Sequence, residues 1–364
     1  MKKMFSLAAM FAVLSYAAPA SADVTLNGEI GLRLRDDFGS TTSATGVKAS
    51  PEDQYVQYRV RLKPSVDLGE GYYVKALLQD EGVAGGWRGL GTTPATANNT
   101  EQYSITASQF FFGHNDTSSH WVVGRIPLGS LDNPILDLTL YAIPGPGPQG
   151  SKLYAVDTPI STNHFDRLLG FNYGAKIGDG ELNAIVVNFD NVSSAAADKG
   201  LFNDGYGLAV NYKANIGDVT ITPQGFVTLT HLADGRTPYS FGTQAFIPAG
   251  NSKVALSGFY SADKNTYAGS TFDYSGYIFR VKGESGPVLA WVDYNRTKDH
   301  TGVGTAYNNT FVWAQYVVKV LESNKGKFSL QPTIRYRASG SKTDTGVSTT
   351  NDLFRTELYA TVSF

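Results

Sequence analysis

The stretch Asn351-Asp352-Leu353-Phe354-Arg355-Thr356-Glu357-Leu358-Tyr359-Ala360-Thr361-Val362-Ser363-Phe364 lies at the C-terminal end of the chain. Counting back in twos from Phe364 gives Val362, Ala360, Leu358, Thr356 and Phe354, a mostly apolar set. Between them stand Ser363, Thr361, Tyr359, Glu357 and Arg355, which are mostly polar. Successive side chains of a strand point to opposite faces, so this period of two predicts one greasy face and one wet face. Taken alone, the segment fits either a membrane-barrel strand or a half-buried edge strand of a soluble β-domain.

The same alternation recurs along the chain. Asp23–Arg35 sets Val24, Leu26, Ile30, Leu32 and Leu34 against Thr25, Asn27, Glu29, Arg33 and Arg35. Gln54–Leu68 sets Val56, Tyr58, Val60, Leu62, Val66 and Leu68 against Gln57, Arg59, Arg61, Lys63, Ser65 and Asp67. Val219–Thr230 and Phe328–Ala338 repeat the pattern, the latter with Arg335 and Arg337 on its polar face. These stretches run for 11–15 residues, enough for a tilted strand to cross a bilayer.

The joints between these segments discriminate between the two readings. Short ones fall at Gly69-Glu70-Gly71, His114–His120, Ile177–Gly180, Asn215–Asp218, Ala249–Ser252, Gly283–Gly286 and Ser323–Gly326. Long polar ones fall at Asp36–Asp53, Asp80–Thr100, Pro127–Thr162, Asp190–Asn203, His231–Pro238, Ser261–Thr271, Thr297–Ala306 and Ser339–Asp352. Short and long alternate, which predicts a closed antiparallel transmembrane β-barrel of about 16 strands with both termini on the short-turn side. A soluble sandwich has no reason to sort its loops by parity. Closure leaves no unpaired edge, and a barrel of this size encloses water.

Composition agrees. Apolar residues make up 42%, glycine is frequent (39 residues), and mean hydropathy is −0.18. A membrane protein this polar needs half its residues in contact with water. The near-neutral balance of 30 basic and 32 acidic residues gives no reason to expect nucleic acid as a partner. With no cysteine, disulfides and thiolate metal sites are excluded. Met1-Lys2-Lys3, the apolar stretch Met4–Ala18 and Ala20-Ser21-Ala22 read as a secretory signal peptide over residues 1–22, with 23–364 as one barrel domain.

In these features the chain resembles the general diffusion porins of Gram-negative bacteria. The likeness rests on strand count, terminal Phe364, Arg59-Val60-Arg61-Leu62-Lys63-Pro64, Val123-Gly124-Arg125, and Phe165–Tyr173 after the longest joint. It implies short periplasmic turns and long extracellular loops. The third long joint, about residues 127–162, would fold into the pore. The family's acidic Pro-Glu-Phe-Gly-Gly tip is absent from that joint, while Leu136, Leu138, Leu140 and Ile143 suit a segment packed on an inner wall. The resemblance also implies outer-membrane lipid and lipopolysaccharide as surroundings, small hydrophilic solutes and ions as cargo, a homotrimer, and no cofactor.

Strand parity then predicts the lining of the pore. Closure brings Arg335, Arg337 and Arg355 beside Arg33, Arg35, Arg59, Arg61 and Lys63, with Arg125 added by the resemblance. Asp132, Asp137 and Asp157 of the infolded joint would face them, setting up a transverse field with a mild anion preference. The bland alternative is that these arginines pair with local carboxylates and brace the wall. Two other functions stay open. A substrate-specific channel for sugars or organic anions could use Tyr72, Tyr73, Trp87, Trp291, Trp313 and Phe226 as a stacking path. An outer-membrane enzyme is the remaining alternative, but His114, His120, His164, His231 and His300 have no partner at a recognisable motif spacing, and no metal or calcium-loop motif is visible.

Overall fold

The structure is a computed structural model that describes residues 23–80, 87–89, 104–127, 168–190, 205–230, 237–267 and 269–364. Residues 1–22, read above as a signal peptide, lie outside these residues, as does nearly all of the third long joint. Nineteen strand segments follow in chain order: β1 (Asp23–Thr42), β2 (Lys48–Ala49), β3 (Glu52–Gly69), β4 (Tyr72–Gln79), β5 (Arg88–Gly89), β6 (Thr106–Asn115), β7 (Ser119–Ile126), β8 (Leu168–Ile177), β9 (Gly180–Asp190) and β10 (Gly205–Ile216). They continue as β11 (Val219–Thr228), β12 (Tyr239–Ala249), β13 (Ser252–Tyr267), β14 (Ser270–Ser285), β15 (Val288–Asp299), β16 (Thr305–Tyr316), β17 (Val318–Ser323), β18 (Gly326–Thr343) and β19 (Ser348–Ser363). Segments β2 and β5 are two-residue ladders, and β16 and β17 both pair with β18 as one interrupted strand. Sixteen wall strands remain. Each pairs antiparallel with its neighbours, and β1 pairs with both β3 and β19, which closes the cylinder.

The outside of the cylinder is greasy. Leu26, Ile30, Leu32, Leu34, Phe110, Phe112, Phe279, Val281, Ile334, Leu358 and Val362 are all exposed on it. A water-soluble protein would turn such a face inward, because exposed apolar surface costs about 25 cal/mol per Å². Surrounded by acyl chains the same face costs nothing. The opposite parity is polar, with Thr222, Gln224, Gln244, Ser257, Asn309, Arg335 and Arg355 buried on the inner side.

All seven short joints are tight turns. Four are two-residue hairpins with glycine at the first central position, Gly178, Gly217, Gly250 and Gly286, at φ between 54 and 61°. Positive φ at that position matches the turn to the right-handed twist of the flanking strands, and only glycine adopts it without strain.

Several long joints differ from expectation. Ser261–Thr271 is almost wholly strand, since β13 runs to Tyr267 and β14 starts at Ser270. β1 continues to Thr42 within Asp36–Asp53, and β18 and β19 continue into Ser339–Asp352. Above the bilayer both faces of a strand meet water, so the apolar alternation stops while the hydrogen-bond ladder continues. Hydropathy reports the membrane boundary there rather than the end of the strand.

Candidate functional site

Closure places the N-terminal and C-terminal strands side by side, and their inward side chains form a belt of arginine and aromatic residues. Its centre is Glu357 on β19, whose carboxylate faces three guanidiniums: Arg35 at 2.6 Å, Arg335 at 2.6 Å and Arg33 at 3.7 Å. Tyr359, two residues on, accepts hydrogen bonds from Arg335 at 2.6 Å and Arg33 at 3.2 Å and donates to Glu357 at 3.0 Å. Register accounts for the meeting, because Arg33 lies opposite Tyr359 and Arg35 opposite Glu357. Alongside, Arg355 is bonded to Asp37, and Tyr55 accepts from Arg35 at 2.8 Å. Arg59 is paired with Glu29.

Aromatic faces take the place of further carboxylates. Trp87, just before β5, lies between two guanidiniums, with Arg33 4.4 Å and Arg59 4.3 Å from its ring centroid. On the other flank Trp313 and Trp291 stack at 4.7 Å and 12°. Arg335 lies over Trp313 at 4.0 Å and Arg280 over Trp291 at 5.4 Å. Arg280 is held by a bidentate pair with Asp293 at 2.5 and 2.8 Å, its cross-strand partner. The belt therefore spans the neighbouring strands β3, β1, β19, β18, β16, β15 and β14. Each cation–π contact contributes about 0.5–2 kcal/mol while leaving the positive charge uncancelled.

Of the residues expected at the site, Arg33, Arg35, Arg59, Arg335 and Arg355 come together in this belt. Arg61 stands one pair nearer the short turns and donates to Gln79 at 2.9 Å. Lys63 lies further down, 3.9 Å from Glu29. Arg337 is buried above, donating to Asn351 at 3.2 Å. Arg125 is not part of the group. It lies opposite Phe110 and Leu169, both exposed on the greasy face, so its position on β7 is outward. The Gly-Arg motif that suggested it carries no parity information. Asp132, Asp137 and Asp157 lie outside the described residues.

Aromatic residues also divide differently from expectation. Tyr55 and Tyr274 are inward-facing or buried. Tyr239, Tyr294 and Tyr336 are exposed on the outside. Trp87, Trp291 and Trp313 line the inside as a stacking path would require, whereas Tyr72 is outward beside His114 and Trp121. Arg280 was missed by sequence reading. The alternation Phe279-Arg280-Val281-Lys282 could have found it, but the apolar inward Ile278 interrupts the pattern.

Open space flanks the belt on both sides. Toward the long joints a cavity of about 870 Å³ is lined by Asp37, Asp53, Tyr55, Arg337, Asn351 and Arg355 among others. Toward the short turns a cavity of about 290 Å³ is lined by Asn27, Lys63, Ser65, Lys75 and Gln109. No group of residues able to hold a metal occurs among the described residues.

The closed sixteen-strand wall, with its greasy outside and polar inside, can be compared with known proteins. By sequence, no family model and no curated protein matches the chain. Among solved structures it is similar to the anion-selective porin from Comamonas acidovorans, at 12% identity over 93% of this chain and 100% of that one, with a TM-score of 0.55. The chain has the porin fold. The outer membrane channel DcaP of Acinetobacter baumannii is similar at 14% identity over 95% and 99% of the two chains, TM-score 0.54. The outer-membrane expressed OmpT of Vibrio cholerae follows at 10% identity over 94% and 98%, TM-score 0.53. At these identities the likeness is one of porin architecture alone.

Proposed function

We propose that this chain is an outer-membrane channel of a Gram-negative bacterium, exported through a cleaved signal peptide and open to small hydrophilic solutes and ions by passive diffusion. The observation that carries this reading is the belt of inward arginines between two cavities of a closed porin wall. Eight guanidiniums (Arg33, Arg35, Arg59, Arg61, Arg280, Arg335, Arg337 and Arg355) accompany the paired carboxylates Glu29, Asp37, Asp293 and Glu357. An excess of fixed positive charge in a narrow opening with low-dielectric walls attracts anions and repels cations. The channel therefore prefers anions.

The same proposal has residues of about 127–162 folded inward as the constriction, with Asp132, Asp137 and Asp157 facing the arginines. In support, Ile185, Val187, Phe259, Ile278 and Phe311 are apolar, buried and on the inward parity. Such a surface is costly against water and favourable against a segment carrying Leu136, Leu138, Leu140 and Ile143. A homotrimer, embedded in outer-membrane lipid and lipopolysaccharide, completes the reading.

A substrate-specific channel is the second reading, and the geometry favours organic anions over sugars within it. Sugar rings stack on free aromatic faces, but guanidiniums already cover those of Trp87 and the outer faces of the Trp291–Trp313 pair. Refolded protein in a planar bilayer tests the main reading: ohmic channels with an anion-directed reversal potential in a salt gradient are expected, and a clear cation preference refutes it. Liposome swelling separates the two readings. Smooth dependence on solute size favours the general pore, and one outlying solute favours the specific one.

A further inference from the structure

Most cations of the belt are buried and already have carboxylates: Arg33, Arg35 and Arg335 share Glu357, and Arg355 is bonded to Asp37. Toward the short turns the inner wall changes character. The Lys63 side chain on β3 is 49% exposed. Lys75 on β4 is exposed too, on the inward parity, since Tyr72 and Val74 lie on the outside. Register brings the two lysines together. Lys75 stands opposite Ser65, and Lys63 lies two residues from Ser65 on the same face, so the lysines are diagonal neighbours across the pair. Lys63 in turn faces Asn27 on β1, and Leu77 faces Gln109 on β6.

The β3–β4 ladder pairs Leu62 with Leu78 and Ser65 with Lys75 but skips Lys63 and Pro64, the latter having no N–H to give. Beside the skipped positions lies the cavity of about 290 Å³, with Asn27, Lys63, Ser65, Lys75 and Gln109 on its lining and no carboxylate. Glu29 approaches from one side only: one oxygen is bonded to Arg59 and the other lies 3.9 Å from Lys63, so a single acid is divided between two cations. Asp67 accepts the backbone N–H of Gly69 at 2.8 Å instead. Among the described residues no carboxylate pairs with Lys75, whose ammonium lies 4.8 Å from the ring centroid of Tyr73. Two ammoniums, two amides and a hydroxyl thus converge on one cavity of net positive charge.

We propose that this cavity is a binding site for a small multivalent oxyanion, inorganic phosphate being the type, at the short-turn mouth of the channel. The inference rests on the anion-channel reading above and names where an anion dwells. The ammoniums act as point charges, while the amides and the hydroxyl donate hydrogen bonds to the several oxygens that a spherical halide does not present. An oxyanion held there obstructs chloride passing the same point.

Chloride currents through the refolded full-length protein in a planar bilayer, titrated with inorganic phosphate, test this. Phosphate is expected to reduce the current saturably. The half-blocking concentration should rise about fivefold in Lys75→Gln and in Lys63→Gln, the upper range for one solvent-accessible charge pair, and stay within about twofold in Lys75→Arg, which keeps the charge. Lys282→Gln removes another inward charge of the short-turn half, one paired with Glu284 at 3.0 Å outside this cavity, and should leave the block unchanged. A block that Lys75→Gln leaves intact, or that Lys282→Gln weakens equally, would mean a diffuse field and overturn the site. Loss of block in Lys75→Arg as complete as in Lys75→Gln overturns it too, because charge would then not be what binds. An anion-preferring channel that phosphate does not block overturns this inference alone. An unsubstituted protein without anion preference would instead overturn the channel reading beneath it.

Discussion

Glu357 is the residue on which the belt turns, because one carboxylate serves Arg33, Arg35 and Arg335 together. Replacing it by glutamine keeps the shape and removes the charge. Glu357→Gln is expected to lower stability in detergent by about 3 kcal/mol, the scale for a buried ion pair stripped of one partner, read as a lower urea midpoint. It should also raise anion preference, since three positive charges lose their shared counter-charge. An unchanged midpoint would mean that Tyr359 and solvent already satisfy the arginines. At this scale much was legible in the sequence. Parity alone placed Arg33, Arg35, Arg59, Arg335 and Arg355 on one wet face, where they meet. It placed neither Trp87, which lies in a joint with no alternation to read, nor Arg125, whose outward face follows from its register with Phe110.

Each strand of this molecule has two solvents, and the two parities should respond to substitution in opposite ways. Phe279 on β14 is 56% exposed on the outer face, some way from either strand end. Phe279→Arg is expected to destabilise the folded barrel by about 2–4 kcal/mol, since a charge there faces hydrocarbon. Gln244→Arg on the inward parity of β12 should cost far less and shift the reversal potential instead. Equal losses in both would contradict the assignment of faces. Turns give a third test at this scale. Gly250 holds φ at 61° with open space around it, so Gly250→Val is disfavoured by backbone conformation rather than by contact. A loss of about 1–2 kcal/mol, visible as slower refolding into detergent micelles, is the expected outcome. Strand existence and order were readable because each crossing repeats the same alternation. Strand ends on the long-joint side were not, because β1, β13, β14, β18 and β19 continue into water, where neither face need be apolar.

For the barrel as a whole, the field of the belt should depend on ionic strength. The Debye length shrinks from about 10 Å at 0.1 M to about 3 Å at 1 M, so anion preference should weaken between these concentrations and persist in part, because the belt lines the opening itself. Reversal potentials at a fixed gradient ratio and rising mean salt would measure this, and a preference independent of salt would point to size selection instead of charge. The sequence by itself determined that the chain forms two-faced strands in an even, closable number and which residues share the wet face, because side-chain direction in a strand is a local property with a period of two. Only the tertiary structure decided who meets whom. Closure sets β19 beside β1, so that Glu357 reaches Arg35 across 322 positions. Cross-strand register sets Trp291 on Trp313, and a returning connection places Trp87 over Gly31. Contacts of this kind depend on pairing between distant strands, and no local pattern of residues records it.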